Sequence, residues 1–181
     1  LSGQGVAPQA ATVEAFRARG LTKIPTGPGE QAHLSFTVPG IVDGYCQLLE
    51  TYGTKTLGEA LAPAIDHAQH GFPMYEYMHR ILRISQTLEQ FHRYPAGGAE
   101  VFYPGGQAPA VGSLFVQPQL GQTLSLLVEA ERATPGPRRA GLQAAHRMFY
   151  EGEIAHRIAA FSERVGGLLR LEDLQRYQAG F

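Results

Sequence analysis

The sequence predicts a mainly α-helical fold. Three observations carry that expectation. Apolar residues recur three, four and seven positions apart in several stretches, most regularly at Leu57, Ala60, Leu61, Ala64, Ile65 and Ala68. The period-two alternation of β-branched and aromatic residues that marks strands is almost missing. Caps, Pro and Gly fall where the periodic stretches should start and stop. At 181 residues and 19.6 kDa, with 44% hydrophobic residues, the chain fits a single helical domain over 1–181.

Taken in order, Ala7 to Gly20 reads as a helix, with Pro8 in its first turn and Gly20 just past its end. Residues 21–36 read as loop. Thr37-Val38-Pro39 reads as a cap, and Ile41, Tyr45, Leu48, Leu49 and Tyr52 follow at helical spacing to a stop at Gly53. Thr56-Leu57-Gly58-Glu59 matches a capping box ahead of the most regular helix, which Pro63 should kink or split and Gly71 should end. Pro73 opens a long helix with an apolar stripe from Met74 to Phe91, read as core. Residues 94–118 read as loop with a short hairpin across Pro104-Gly105-Gly106. Helix returns from Pro118 to Ala133. Thr134 to Arg139 reads as an exposed turn, 140–165 as helix broken near Gly152, and Leu171 to Tyr177 as a last short helix after Gly166-Gly167.

Lys plus Arg is 15 and Asp plus Glu is 16, a net charge of −1 that argues against binding nucleic acid, which needs clustered basic charge. Charged residues are only 17%. That sparseness, with the start at Leu1, reads as a piece of a larger protein whose apolar surface the rest covers. Such a piece, alone, is expected to form homo-oligomers. No apolar run approaches the roughly 20 residues of a membrane-spanning helix. The compartment is not legible.

Little in the chain looks like self-sufficient chemistry. The lone Cys46 excludes an internal disulfide and lies in an apolar run, so it reads as a buried thiol. His67 and His70 stand at i, i+3 beside Asp66, but there is no HExxH and no third ligand at a recognised spacing; they read as solvent-facing, and no metal is assigned. Ser35, Ser85, Ser113, Ser125 and Ser162 lack a GxSxG elbow. Ser2 could act as a terminal nucleophile only if Leu1 were removed. Glu172 with Asp173, and Glu151 with Glu153, read as favourable charges at helix N-termini. Gly3-x-Gly5, Gly97-Gly98 and Gly105-Gly106 do not form phosphate loops, and Arg138-Arg139 reads as a solvated turn. No cofactor and no catalytic residue are assigned.

Several segments resemble the γ-glutamyltranspeptidase family. Thr37-Val38-Pro39-Gly40-Ile41-Val42-Asp43-Gly44-Tyr45 is similar to its S/T-V-P-G-x-V-x-G stretch. In family order follow Tyr52-Gly53-Thr54, Leu61-Ala62-Pro63-Ala64-Ile65, Gly71-Phe72-Pro73, Phe149 to Ala155, and Gly166-Gly167-Leu168-Leu169 through Glu172-Asp173-Leu174, while Gly5-Val6-Ala7-Pro8 matches the start. The resemblance implies the helical large-subunit portion of an αββα N-terminal-nucleophile hydrolase. Its precursor cleaves itself, and the new N-terminal Thr of the small subunit attacks γ-glutamyl amides such as glutathione. Water or an amine then takes the acyl group. The partners implied are the remainder of the precursor and a small-molecule amide. No Thr pair occurs in the 181 residues, so the chain alone is expected to be inactive.

One departure bears on specificity. Family transferases carry an Arg shortly before the Ala-Pro of the first segment, paired with the substrate α-carboxylate; here Gln4 holds that place, and no substrate-binding residue is assigned. The resemblance then implies an amidohydrolase or acylase for another acyl group. Tyr45 also stands where Trp is common, and the stretch from Glu131 to His146 is longer than the usual family connection. The alternative is a non-catalytic helical module used for interaction or structure.

Overall fold

The structure is a computed structural model that describes residues 1–25, 29–94 and 98–180. Gly97 of the Gly97-Gly98 pair, and the parts of the expected loops at 26–28 and 95–97, lie outside those residues. The described residues form two compact units: one takes in 1–25, 31–61 and 123–180, the other 29–30, 62–94 and 98–122. The order of elements is α1 (Val13–Arg17), α2 (Ile41–Tyr52), α3 (Leu57–His70), β1 (Phe72–Pro73), α4 (Glu76–Leu82), α5 (Ser85–Arg93), α6 (Gly98–Phe102), β2 (Leu114–Phe115), α7 (Pro118–Arg132), α8 (Arg138–Tyr150), α9 (Glu153–Arg164) and α10 (Leu171–Gln175). Turns of 3₁₀ helix add Ala32–Ser35 and Pro104–Gly106. The chain is mainly α, as expected.

In the first unit α2 packs on α8, α8 on α9 and α9 on α10. Their shared core centres on Leu142, Ala145, Ala155 and Leu174, all fully buried, with Tyr150, Phe149, Leu127 and Leu169 around them. Phe16, Leu34 and Leu168 form a satellite cluster. The first helix is much shorter than the sequence suggests. Residues 7–12 are held out of a helix by pairing elsewhere: Val38 donates its N–H to Val6 O (2.9 Å), and Gln9 donates its N–H to Asp173 Oδ1 (2.9 Å). Thr12 then caps α1 by accepting from Ala15 N–H (3.1 Å).

Helix α2 has the expected span, but Gly40, with no side-chain cap, takes the N-cap place assigned to Thr37. Its orientation is set by its neighbours. Asp43, Gly44 and Cys46 are buried, whereas Ile41 (51% exposed), Tyr45 (53%), Leu48 (45%) and Tyr52 (72%) form an apolar stripe facing outward. Periodicity reveals that a helix has a face; it does not say which neighbour covers it. Helix α3 runs unbroken through Pro63. Proline removes one hydrogen bond, to Glu59 O, but both residues are exposed, so water can take that carbonyl.

The second unit is built around Met74, Leu82, Tyr103 and Phe115, with Phe72, Met78, Leu88 and Phe91 packed against them. Most of the stripe from 74 to 91 is core, as read, although Tyr77 faces solvent, and it is two helices and not one. Pro73 lies in a strand, not at a helix start: β1 pairs antiparallel with β2, Phe72 opposite Phe115 and Pro73 opposite Leu114. Met74 extends that pairing, donating to Ser113 O (2.8 Å). Gly71 makes the sharp exit from α3 at φ +88°, where a β-carbon would press on Val116 and the Phe115 carbonyl. At the other end of α4 the buried Tyr103 hydroxyl donates to Leu82 O (2.9 Å), and Ile84 turns extended before α5. The expected hairpin at Pro104–Gly106 is a 3₁₀ turn instead.

Candidate functional site

The first residues of the chain are the segment that the sequence singles out, and the structure seats them in the first unit. Ser2 bridges Gly180, donating its N–H to Gly180 O (2.7 Å). Tyr177 donates its hydroxyl to Gln4 O (2.8 Å). Val6 and Gln9 are tied to Val38 and Asp173 as described above. The close approach depends on absent side chains. A β-carbon on Gly5 would collide with Val38 O, and one on Gly40 would collide with the Tyr177 hydroxyl and meet Gly3 O at 2.5 Å. The residue 4 main chain is thus fixed from behind, while Gln4 itself is exposed.

Beneath this segment lies a buried carboxylate, Asp43 (4% exposed), on the inward face of α2. It accepts from Ala179 N–H (2.6 Å) and from Gln47 Nε2, which lies 3.1 Å from each carboxylate oxygen. His146 Nε2 lies 3.3 Å from Asp43 Oδ1. The Asp43 N–H donates to the Tyr150 hydroxyl (3.0 Å), which donates in turn to Pro39 O (2.7 Å). Burial pushes the Tyr150 hydroxyl well above the usual phenol range, so it keeps the proton it donates. Tyr150 stacks on Tyr177 at 5.8 Å and 19°. A buried charge persists only when so satisfied. Asp43, Tyr150, His146 and Tyr177 were missed in the sequence; the available signal was an acid inside the apolar run Ile41 to Leu49.

A second buried acid, Glu131 (8% exposed), was missed in the same way. It accepts from Leu57 N–H (2.7 Å) and Gly58 N–H (2.8 Å), capping α3 from across the chain. The capping box is present as well, Glu59 N–H to Thr56 Oγ1 (3.1 Å) and Thr56 N–H to Glu59 Oε2 (2.9 Å), on the exposed side. Glu131 falls four residues after Leu127 and three after Val128, on the buried stripe of α7, which is the mark it leaves in the sequence.

Most of the other singled-out residues have structural partners. Asp173 accepts from Arg170 N–H (2.9 Å) and from Gln9, so it both caps α10 and anchors the first segment. Glu153 lies in the first turn of α9, and Glu151 ends α8. Arg138 and Arg139 open α8 and do not form a turn: Arg138 donates to Leu49 O (2.6 Å), capping the C-terminal end of α2, and the exposed Arg139 pairs with Glu50. His70 pairs with Asp66 (2.9 Å) with both groups exposed. Ser2 is exposed and accepts from Gln4 N–H (3.4 Å). Ser35 and Ser113 hydroxyls donate to Ala32 O and Ala110 O. Ser162 is buried with its hydroxyl unpaired. An open groove of about 410 Å³ in the second unit, lined by Glu100, Val101, Pro104 and residues 114–120, contains no hydroxyl, thiol or imidazole. No helix among the described residues is long and apolar enough to cross a membrane.

Cys46 is buried, as read from the sequence. Burial, followed by the charge of Asp43, pushes its thiol up from an ordinary 9.0 to about 12. The folded state therefore keeps a proton that the unfolded chain releases. The stability this contributes is complete below about pH 9 and lost as pH rises towards 12. Urea unfolding of the wild type and Cys46→Ala across that range is expected to show slopes differing by roughly 1.4 kcal/mol per pH unit. Equal slopes would contradict the shift.

The described arrangement anchors a main chain and caps helices. The sequence profile described as Gamma-glutamyltranspeptidase matches residues 1–181. The chain is 31% identical over 144 residues to the glutathione hydrolase-like YwrD proenzyme of Bacillus subtilis, covering 80% of this chain and 24% of that protein. It is 32% identical over 184 residues to the oxamate amidohydrolase proenzyme of Klebsiella pneumoniae, covering 99% of this chain and 31% of that protein. Its structure resembles the cephalosporin acylase of Bacillus halodurans with a TM-score of 0.81 at 28% identity, over 99% of this chain and 31% of that one. The chain thus spans between a quarter and a third of the length of these relatives.

Proposed function

The chain belongs to the γ-glutamyltranspeptidase family, and on that premise we propose that residues 1–181 are the helical part of the large subunit of a self-processed N-terminal-nucleophile amidohydrolase. The nucleophile in this reading is the N-terminal Thr of a small subunit outside these 181 residues. Its hydroxyl attacks the amide carbonyl while its own amine takes the proton; that proton passes to the amine that departs as the amide C–N bond breaks, and the acyl-enzyme then passes its acyl group to water or an amine, which restores the hydroxyl. Two of the relatives are named as proenzymes, which supports self-cleavage. The outward stripe of Ile41, Tyr45, Leu48 and Tyr52 supports a surface covered by the rest of the precursor, and the same stripe would drive self-association of the isolated chain.

Gln4 is the observation that carries the specificity. An exposed neutral amide on a fixed main chain can hydrogen-bond a substrate but cannot neutralise a carboxylate. The substrate class we propose is an amide whose acyl group lacks the α-carboxylate of a γ-glutamyl group. The relatives bearing the names oxamate amidohydrolase and cephalosporin acylase support a family that takes acyl groups other than γ-glutamyl. Intact mass and N-terminal sequencing of the longer protein from its source test the processing. Two chains are expected, the smaller starting with Thr. A single uncleaved chain would reject the reading, as would amide turnover by the isolated 181 residues.

A further inference from the structure

Residue 4 sits on a segment that has almost no local reason to be ordered. Residues 1–9 carry Gly3 and Gly5 and form no helix; their place is set by four hydrogen bonds from the main chain of Ser2, Gln4, Val6 and Gln9 to distant residues. Of these, only the Tyr177 bond engages residue 4 itself, at its carbonyl. A carbonyl held in place restrains the peptide plane that follows residue 4, and the chain is anchored again on either side at the Ser2 N–H and the Val6 carbonyl.

Tyr177 is in turn fixed on every side. Its ring is 4% exposed and stacks on Tyr150, whose hydroxyl ties Pro39 to Asp43. Two residues further on, Ala179 N–H is held by the Asp43 carboxylate, and Gln47 reaches both that carboxylate and Ala179 O (3.3 Å). Gly180 then bridges Ser2. The absence of a β-carbon at Gly40 leaves the Tyr177 hydroxyl room to reach Gln4. One buried acid thus holds the 177–180 side of the clamp, and the clamp ends at the exposed Gln4.

We infer that Tyr177, stacked on Tyr150 and followed by the Ala179 N–H that Asp43 holds, is a positioning residue that aims residue 4 at the acyl group of the substrate. This rests on the reading that residue 4 selects the acyl group. A side chain that recognises a head group must be presented within a fraction of an ångström, and losing its anchor costs binding before it costs chemistry. Tyr177 touches no reacting atom in this account; it acts through the Gln4 main chain.

The test uses the longer protein that carries these residues, with Tyr177→Phe, Gln4→Arg and the double variant. The probes are a butanoyl anilide and the corresponding γ-glutamyl anilide, which adds the α-amino and α-carboxylate groups. Tyr177→Phe removes one hydroxyl and keeps the stacked ring. It is expected to raise KM for the butanoyl probe about three- to tenfold, with the loss in KM and not in kcat. In the Gln4→Arg background it should reduce the gain in γ-glutamyl preference by a similar factor, because the new guanidinium needs the same aim. Asp43→Asn, which keeps the shape and removes the charge, should raise KM in the same direction. A purely structural Tyr177 would instead lower the unfolding temperature and the active fraction while KM and preference stayed put, and that result overturns the inference. If Gln4→Arg leaves preference unchanged while Tyr177→Phe still raises KM, the reading of residue 4 as selector fails, and the clamp stands as a determinant of substrate binding through the main chain.

Discussion

Replacing Gln4 with Arg in the longer protein should raise kcat/KM for γ-glutamyl amides, relative to acyl amides lacking the α-carboxylate, by about 10- to 100-fold. The estimate rests on a charge-assisted hydrogen bond contributing about 1.5–3 kcal/mol, where each 1.4 kcal/mol is a factor of ten. The substitution suits the site. Gln4 is exposed, so a longer side chain meets no packed core, and its main chain is already held by Tyr177 and the Ser2–Gly180 bridge. The guanidinium presents the planar fork that a carboxylate accepts with two oxygens, so Gln4→Lys should gain less. The measurement is the ratio of kcat/KM for the two substrate types in wild type and variant. An unchanged ratio would mean that residue 4 does not face the acyl group.

Glu131→Ala is expected to be the most destabilising of the substitutions considered, by about 2–4 kcal/mol. Two N–H groups at the start of α3 lose their acceptor at once, in a place from which water is excluded. The helix N-terminus also loses a negative charge that its dipole favours. The desolvation of Glu131 itself sets the upper limit, since removing the residue relieves that cost. Glu131→Gln, which keeps one acceptor oxygen, should lose about half as much. Gly58 and Gly141 belong to the same device: a β-carbon on Gly141 would lie 2.9 Å from the Glu131 side chain, and one on Gly58 would lie 3.0 Å from Val128. Urea midpoints for the three chains check this. Indistinguishable midpoints for Glu131→Ala and Glu59→Ala would place the capping of α3 on the exposed box instead.

The difference between those two caps marks what local sequence can report. Thr56 and Glu59 are three residues apart, so their box is legible from spacing. Glu131 reaches Leu57 across 74 positions, and no local rule joins them. The same divide separates the helices. Helices α2 and α7 have the spans their periodicity predicts, because apolar spacing and the punctuation by Gly53 and Pro118 agree within each segment. The expected helix at 7–20 shortens to Val13–Arg17 because Val6 and Gln9 find partners in Val38 and Asp173. The helix expected at 74–91 divides because β1 takes Phe72 and Pro73, and a two-residue strand has no period to read.

The sequence by itself determined that the chain is mainly helical, that Cys46 is buried, and that the ordered landmarks from Gly5 to Leu174 are those of the γ-glutamyltranspeptidase family. These are properties of residues close together in the chain, or of motifs recognisable one at a time. Only the tertiary structure decided that α2 turns Asp43 inward and its apolar stripe outward, that Glu131 caps α3, and that Tyr177 holds Gln4. Each of these satisfies a buried polar group with a partner far away in sequence. A buried charge or carbonyl must find such a partner, but its identity depends on which surfaces the packed helices bring together.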